Sequence, residues 1–161
     1  MQVAYRKLSA EFTDATEKED IMSKTAVVYW SGTGNTEAMA EYLAQAIADK
    51  GGEAEVYTVD DFSADQADDF DTFALGCSAW GSEELEANEF LPVYEEVEPK
   101  LSGKKVVLFG SYGHGDGAYQ QDWKERAEEA GANVVATVAS LDAPEEEDEE
   151  NLAAAVEALL A

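Results

Sequence analysis

The chain has 161 residues, 45% of them hydrophobic and 10% aromatic, enough for one folded domain with at most a short appendage, so wholesale disorder is excluded. It carries 36 acidic residues against 10 basic ones, a formal charge of −26 that works against binding nucleic acid or anionic lipid and favours basic partners or cations. A single cysteine, Cys77, and a single histidine, His114, exclude an internal disulfide and a thiolate or multi-histidine metal site built within one chain.

No apolar run approaches the ~18 residues of a membrane-spanning helix. The first 21 residues are polar and hold no signal-peptide core, so a reduced, soluble, cytoplasmic location is expected. Residues 1–24 show little apolar periodicity. They read as an N-terminal extension that is loosely packed or disordered, as an arm docked through Val3, Tyr5, Leu8 and Phe12, or as residues before a true start at Met22.

Ala26-Val27-Val28-Tyr29-Trp30 is a near-continuous apolar run, as expected of a central parallel strand covered on both faces. Ser31 to Thr36 breaks it, and Met39, Tyr42, Leu43, Ala46 and Ile47 then mark a helix over 35–49 that Gly51-Gly52 ends. Residues 53–59 alternate like an edge strand. Residues 60–71 hold six aspartates, which predicts a loop with a short helix. Thr72 to Gly76 is a third strand, and a loop from Cys77 to Glu86 leads into a helix over 87–98 with Pro92 in its first turns. Lys105 to Gly110 is a fourth strand, followed by a Gly-rich loop over 111–117 and a helix over 118–130. Asn133 to Leu141 is a fifth strand, and 147–160 a last helix. Five strands alternating with helices predict an α/β fold with a doubly wound parallel sheet, whose ligands bind beyond the strand C-termini near the switch in strand order.

Three loops there have unusual composition. In Ser31-Gly32-Thr33-Gly34-Asn35-Thr36, two glycines let backbone N–H groups approach an anion, the hydroxyls add donors, and the following helix adds its dipole. Nothing in the loop is basic, so a phosphate would be held by neutral donors. It is not a Walker A loop, since no Gly-Lys-Ser/Thr follows, nor Gly-x-Gly-x-x-Gly, since Glu37 holds the third glycine position. The plainer alternative is an ordinary capped turn.

Val28 to Glu37 resembles the phosphate loop of flavodoxins, and Gly76 to Glu86 and Phe109 to Gly117 resemble the family's two other flavin-binding loops. The resemblance covers residues 25–161, with all three motifs in order, and is nearest the short-chain type of anaerobic bacteria; residues 1–24 stand outside it. It implies a flavodoxin-like five-stranded sheet of order 2-1-3-4-5 in a three-layer sandwich, with non-covalent FMN as cofactor. By the resemblance, Ser31, Gly32, Thr33, Gly34, Asn35, Thr36 and Ser78 would hold the phosphate. Ala79, Trp80 and Gly81 would lie along the inner face and N5 edge of the flavin ring, with Glu83 near N3. Trp80 stands where relatives often have methionine and would cover more ring. Gly81 matches a glycine whose peptide turns over on reduction so that its carbonyl accepts from N5–H. Ser111, Tyr112 and Gly113 would surround the pyrimidine edge, with Gly115 and Asp116 completing that loop.

His114 departs from the pattern, because relatives commonly have an aromatic there that stacks on the outer flavin face. The imidazole could stack instead, Tyr112 or Tyr119 could take over, the face could stay open, or His114 could be a solvated loop residue without a role. The resemblance implies a low-potential one-electron carrier cycling between semiquinone and hydroquinone, a monomer and not an enzyme. Its partners would be redox proteins with basic docking patches, such as oxidoreductases and ferredoxin-type reductases. Glu83, Glu84, Glu86, Glu89 and Asp116 border the expected flavin and could steer such partners or simply be solvated, as could the acidic run from Asp142 to Glu150. Cys77 reads as a buried structural thiol, and Trp30 and Trp123 as packing residues. One alternative is an FMN-dependent quinone or NAD(P)H reductase, which needs longer loops. The other, a phosphorylatable receiver domain, needs an acidic cluster after the first strand and an Asp ending the third.

Overall fold

The computed structural model describes residues 24–80, 84–113 and 115–161 and the backbone of 6–8. Its elements are β1 (Arg6–Leu8), β2 (Lys24–Trp30), α1 (Asn35–Asp49), β3 (Glu53–Thr58), β4 (Thr72–Cys77), α2 (Phe90–Val97), β5 (Lys105–Tyr112), α3 (Tyr119–Glu129), β6 (Asn133–Leu141) and α4 (Glu146–Leu160). Short 3₁₀ turns fill Val59–Asp61, Ala64–Asp69 and Glu98–Leu101. The aspartate-rich stretch therefore makes tight turns, one of them closed by reciprocal bonds between Ser63 and Gln66.

The strands form one sheet in the order β1-β3-β2-β4-β5-β6. The last five are parallel, and taken in chain order among themselves they run 2-1-3-4-5, as the resemblance implies. β1 is an addition: Arg6–Leu8 pairs antiparallel with β3, Lys7 standing opposite Glu55. β3 thus has a strand on both sides and is not an edge. The rest of the expectation for residues 1–23, including Val3, Tyr5 and Phe12, lies outside the described residues.

Each strand alternates its side chains between two apolar layers, because successive residues point to opposite faces. Ala26, Val28, Phe73, Leu75, Val106 and Leu108 face α2 and α3, meeting Phe90, Tyr94, Tyr119 and Trp123. Val27, Tyr29, Ala74, Val107 and Phe109 face α1 and α4, meeting Met39, Leu43, Ile47, Leu152 and Val156. Both faces are covered, which is why these strands read as near-continuous apolar runs.

The chain leaves β2 towards β3 on one side and returns to β4 on the other. The loops at the C-terminal ends of β2 and β4 therefore diverge and leave a crevice between them.

Candidate cofactor site

A cleft of about 450 Å³ opens at that crevice. Trp30, Gly32, Thr33 and Asn35 line it from the β2 loop, Ser78, Ala79 and Trp80 from the β4 loop, Ser111, Tyr112 and Gly113 from the β5 loop, and Asp142 from the end of β6. This is the size range of small-molecule sites.

One end is a helix terminus. α1 begins after Gly34, whose φ of 99° only glycine takes without strain, and no side chain caps it. The Ser31 Oγ instead accepts from the Gly34 N–H at 2.9 Å, closing the loop on itself. The first-turn N–H groups of α1 and the positive end of its dipole stay open towards the cleft. Thr36 in that turn is fully buried, and its Oγ1 pairs with the Ser78 Oγ at 2.7 Å and the Ser111 Oγ at 3.2 Å, while accepting from the Ser111 N–H at 3.1 Å. One hydroxyl thus ties the three loops together. The loops are further joined by the Ala79 N–H donating to Ser111 O and the Asp142 N–H donating to Tyr112 O.

The other end is aromatic. Trp80 is 55% exposed, and its ring meets that of Trp30 edge-on at 5.7 Å. The Trp80 and Glu84 backbones bond to each other in both directions. The chain then enters α2 over Glu86, whose buried carboxylate accepts from the N–H groups of Asn88, Glu89 and Phe90. Burial works to raise its pKa, but those three bonds outweigh it and hold the group below the ordinary carboxylate value.

Charge at the cleft has one sign. Asp142 lines it, Glu84, Glu89 and Asp116 are exposed on the loops around it, and among the described residues no cation lines it. Every Lys or Arg with a described side chain is engaged elsewhere. Lys24, Lys50, Lys100, Lys124 and Arg126 pair with carboxylates, and Lys104 and Lys105 bond backbone oxygens. Among the described residues no cluster of His, Cys, Asp and Glu could hold a metal ion, and no helix is long and apolar enough to cross a membrane.

Of the residues singled out in the sequence, the cleft thus brings together Gly32, Thr33, Asn35, Ser78, Ala79, Trp80, Ser111, Tyr112 and Gly113, with Ser31, Gly34 and Thr36 shaping its helix end. Tyr119 is not at the cleft. It is 3% exposed and donates its hydroxyl to the Cys77 carbonyl at 2.9 Å, because α3 starts beneath β5 rather than beside the loop tip. Asp116 is turned to its own loop, where Oδ1 accepts from the Ala118 N–H, and neither it nor Gly115 lines the cleft. Gly81, Glu83 and His114 lie outside the described residues. Trp30 and Asp142 line the cleft, although the sequence alone assigns them to packing and to a solvated charge run. The end of an apolar strand and a residue at φ 59° after β6 give no compositional signal of a site.

The family model for flavodoxin matches residues 27–155 of this chain. The chain belongs to the flavodoxin family. It is 50% identical over 111 residues to the flavodoxin of Clostridium beijerinckii, spanning 69% of this chain and 80% of that protein. It is 48% identical over 111 residues to that of Megasphaera elsdenii, spanning 69% and 81%. The solution structure of the two-electron reduced Megasphaera elsdenii flavodoxin superposes with a TM-score of 0.76 at 43% identity, covering 83% of this chain and 98% of that one. Flavodoxins are FMN-binding electron carriers that exchange electrons with redox partners and transform no substrate of their own. The donor set found here suits that cofactor: an uncapped helix start with neutral hydroxyls for a phosphate, and an aromatic wall for a flat ring.

Proposed function

We propose that this flavodoxin is a low-potential one-electron carrier in which the β2 loop holds the FMN phosphate and the β4 and β5 loops hold the ring. The observation that carries the reading is the open N-terminus of α1 beside the Thr36–Ser78–Ser111 hydroxyls. Bound FMN supplies the redox chemistry. Thr33, Asn35 and Ser78 donate to the phosphate with the first-turn N–H groups of α1, and Ser31 keeps the loop closed around it. Trp80 stands against the inner side of the ring, and Tyr112 and Gly113 border its polar edge. Gly81 and Glu83 take the roles that the resemblance assigns them, at the N5 edge and near N3.

The chain lowers the potential by opposing added negative charge. Among the described residues no cation lines the cleft, Asp142 does, and the molecule as a whole carries −26. The exposed Glu84, Glu89 and Asp116 form an acidic border suited to a redox partner with a basic patch, whose approach they would steer. The FMN domain is the parallel core of residues 25–161, joined by Lys24 at the start of β2 and by the added strand Arg6–Leu8 on its sheet, and the protein works in the cytoplasm.

The test is anaerobic stepwise reduction of the FMN-loaded protein, followed by its visible spectrum. Two separated one-electron steps are expected, the second well below the potential of free FMN. A single two-electron step would favour a quinone or NAD(P)H reductase, and a chain that takes up no FMN would overturn the site.

A further inference from the structure

Two limbs of the β4 loop close on one residue. On the outgoing limb, Trp80 sets its ring edge-on to Trp30 at 5.7 Å. On the returning limb, the Glu89 Oε1 accepts from the Trp30 Nε1–H at 2.6 Å, a short, charge-assisted hydrogen bond. Glu89 is held in place for this. Its backbone N–H donates to the Glu86 carboxylate at 2.7 Å, and Glu86 is itself buried and fixed by neighbouring N–H groups at the start of α2. Trp30 is only half-buried at the end of β2, and its indole has no other hydrogen-bonding site. Its rim is close enough to Gly32 that a Cβ there would lie 3.1 Å from its Cη2. The indole thus lies between the phosphate-side loop and the ring-side wall, and Glu89 fixes its direction.

We infer that Glu89 is a positioning residue of the cofactor cleft: by anchoring the Trp30 indole it fixes the wall against which Trp80 stands. This rests on the FMN reading above for its consequence, but the anchoring itself concerns the chain alone. Glu89 touches neither ring nor phosphate in this scheme and acts through Trp30. Its carboxylate charge and its position are separable, because a glutamine keeps the acceptor oxygen and loses the charge.

The experiment compares Glu89→Ala and Glu89→Gln with the unaltered chain by three readouts. The near-UV circular dichroism of the apoprotein reports the coupled Trp30–Trp80 pair without cofactor. FMN titration gives the dissociation constant, and spectroelectrochemistry gives the midpoint potentials. Glu89→Ala should alter the tryptophan dichroism and weaken FMN binding by about five- to tenfold, the worth of one charge-assisted bond at a half-exposed site. Glu89→Gln should recover most of that loss and restore the dichroism. A pure charge effect would move the potentials of both variants together, whereas positioning separates the alanine from the glutamine variant. Equal FMN affinity in all three proteins, or equal weakening in both variants, would overturn the inference. Should the unaltered chain take up no FMN, the reading above fails, and the dichroism alone decides: an unchanged signal in Glu89→Ala overturns the anchoring and a changed one sustains it.

Discussion

Gly110 lies in β5 where three elements meet below the cleft, and Gly110→Ala tests that convergence. A Cβ at this position would fall inside contact distance of the Cys77 carbonyl oxygen and the Tyr119 hydroxyl, and 2.9 Å from the Cys77 carbonyl carbon. Two of those atoms are backbone of Cys77, fully buried at the end of β4 and paired there with Trp30 of β2, so they cannot swing aside freely. The third belongs to the bond from Tyr119 to Cys77, which must break for the methyl to enter. Overpacking costs about 1–3 kcal/mol, and breaking the Tyr119–Cys77 bond about as much again, so a loss of roughly 2–6 kcal/mol is expected. Gly103→Ala is the control: it sits at φ 80° with nothing within 4 Å of the new methyl, so backbone strain alone of about 1–3 kcal/mol applies. Urea unfolding of both apoproteins, read by far-ultraviolet circular dichroism with a common m-value, gives the comparison. A Gly110→Ala loss below about 1 kcal/mol would refute the claim that the ends of β4 and β5 are rigidly joined here.

Further outcomes follow from the charges and the thiol. Glu86→Gln should cost about 1–3 kcal/mol at neutral pH, because an amide offers fewer acceptor sites to three N–H groups. The Glu86 pKa is depressed on folding, so its stabilisation is complete above the ordinary carboxylate pKa of about 4.3 and is lost as pH falls through the lower folded value. Urea titrations over that range should show the two proteins converging in acid, and a constant gap would count against it. Burial pushes the Cys77 thiol up to about 12, so a thiol reagent should label it only on unfolding, at a rate that tracks urea concentration. With −26 charges and every described cation already engaged, the melting temperature of the apoprotein and its affinity for FMN should both rise from low to ~1 M salt, where the screening length is ~3 Å. Calorimetry and FMN titration at two ionic strengths check this, and a fall in either would show that repulsion among the carboxylates is not what governs them.

The central strands of the parallel core were legible because both their faces are buried: Ala26 to Trp30, Thr72 to Gly76 and Lys105 to Gly110 needed no partner information to be read as strands. Asn133 to Leu141, half-exposed at the sheet edge, was legible from its β-branched and apolar content. The three loops were legible because glycines and hydroxyls at strand ends have few other uses. Three features were not. β3 looked like an edge, since its glutamates alternate with apolar residues; Glu55 is nevertheless buried, bonded by Tyr57 and paired with Lys24. Trp30 carried no mark separating a cleft wall from a core residue, because an indole serves both and only the position of Glu89 decides. Tyr119 suited a flavin face by its type and spacing, and only the path of α3 beneath β5 turns its hydroxyl to Cys77.

The strand at Arg6–Leu8 carries a consequence for how the molecule opens. It joins β3 by only three residue pairs and runs against the direction of the other five strands. Its three pairs lie on the outer edge of β3, away from the crossovers that close the parallel core. Its release exposes one row of β3 backbone groups while the pairing of β3 with β2 stays in place. Amides on the outer side of β3 should therefore exchange with solvent through a shallow, sub-global opening, and those between β2, β4 and β5 only when the whole core parts.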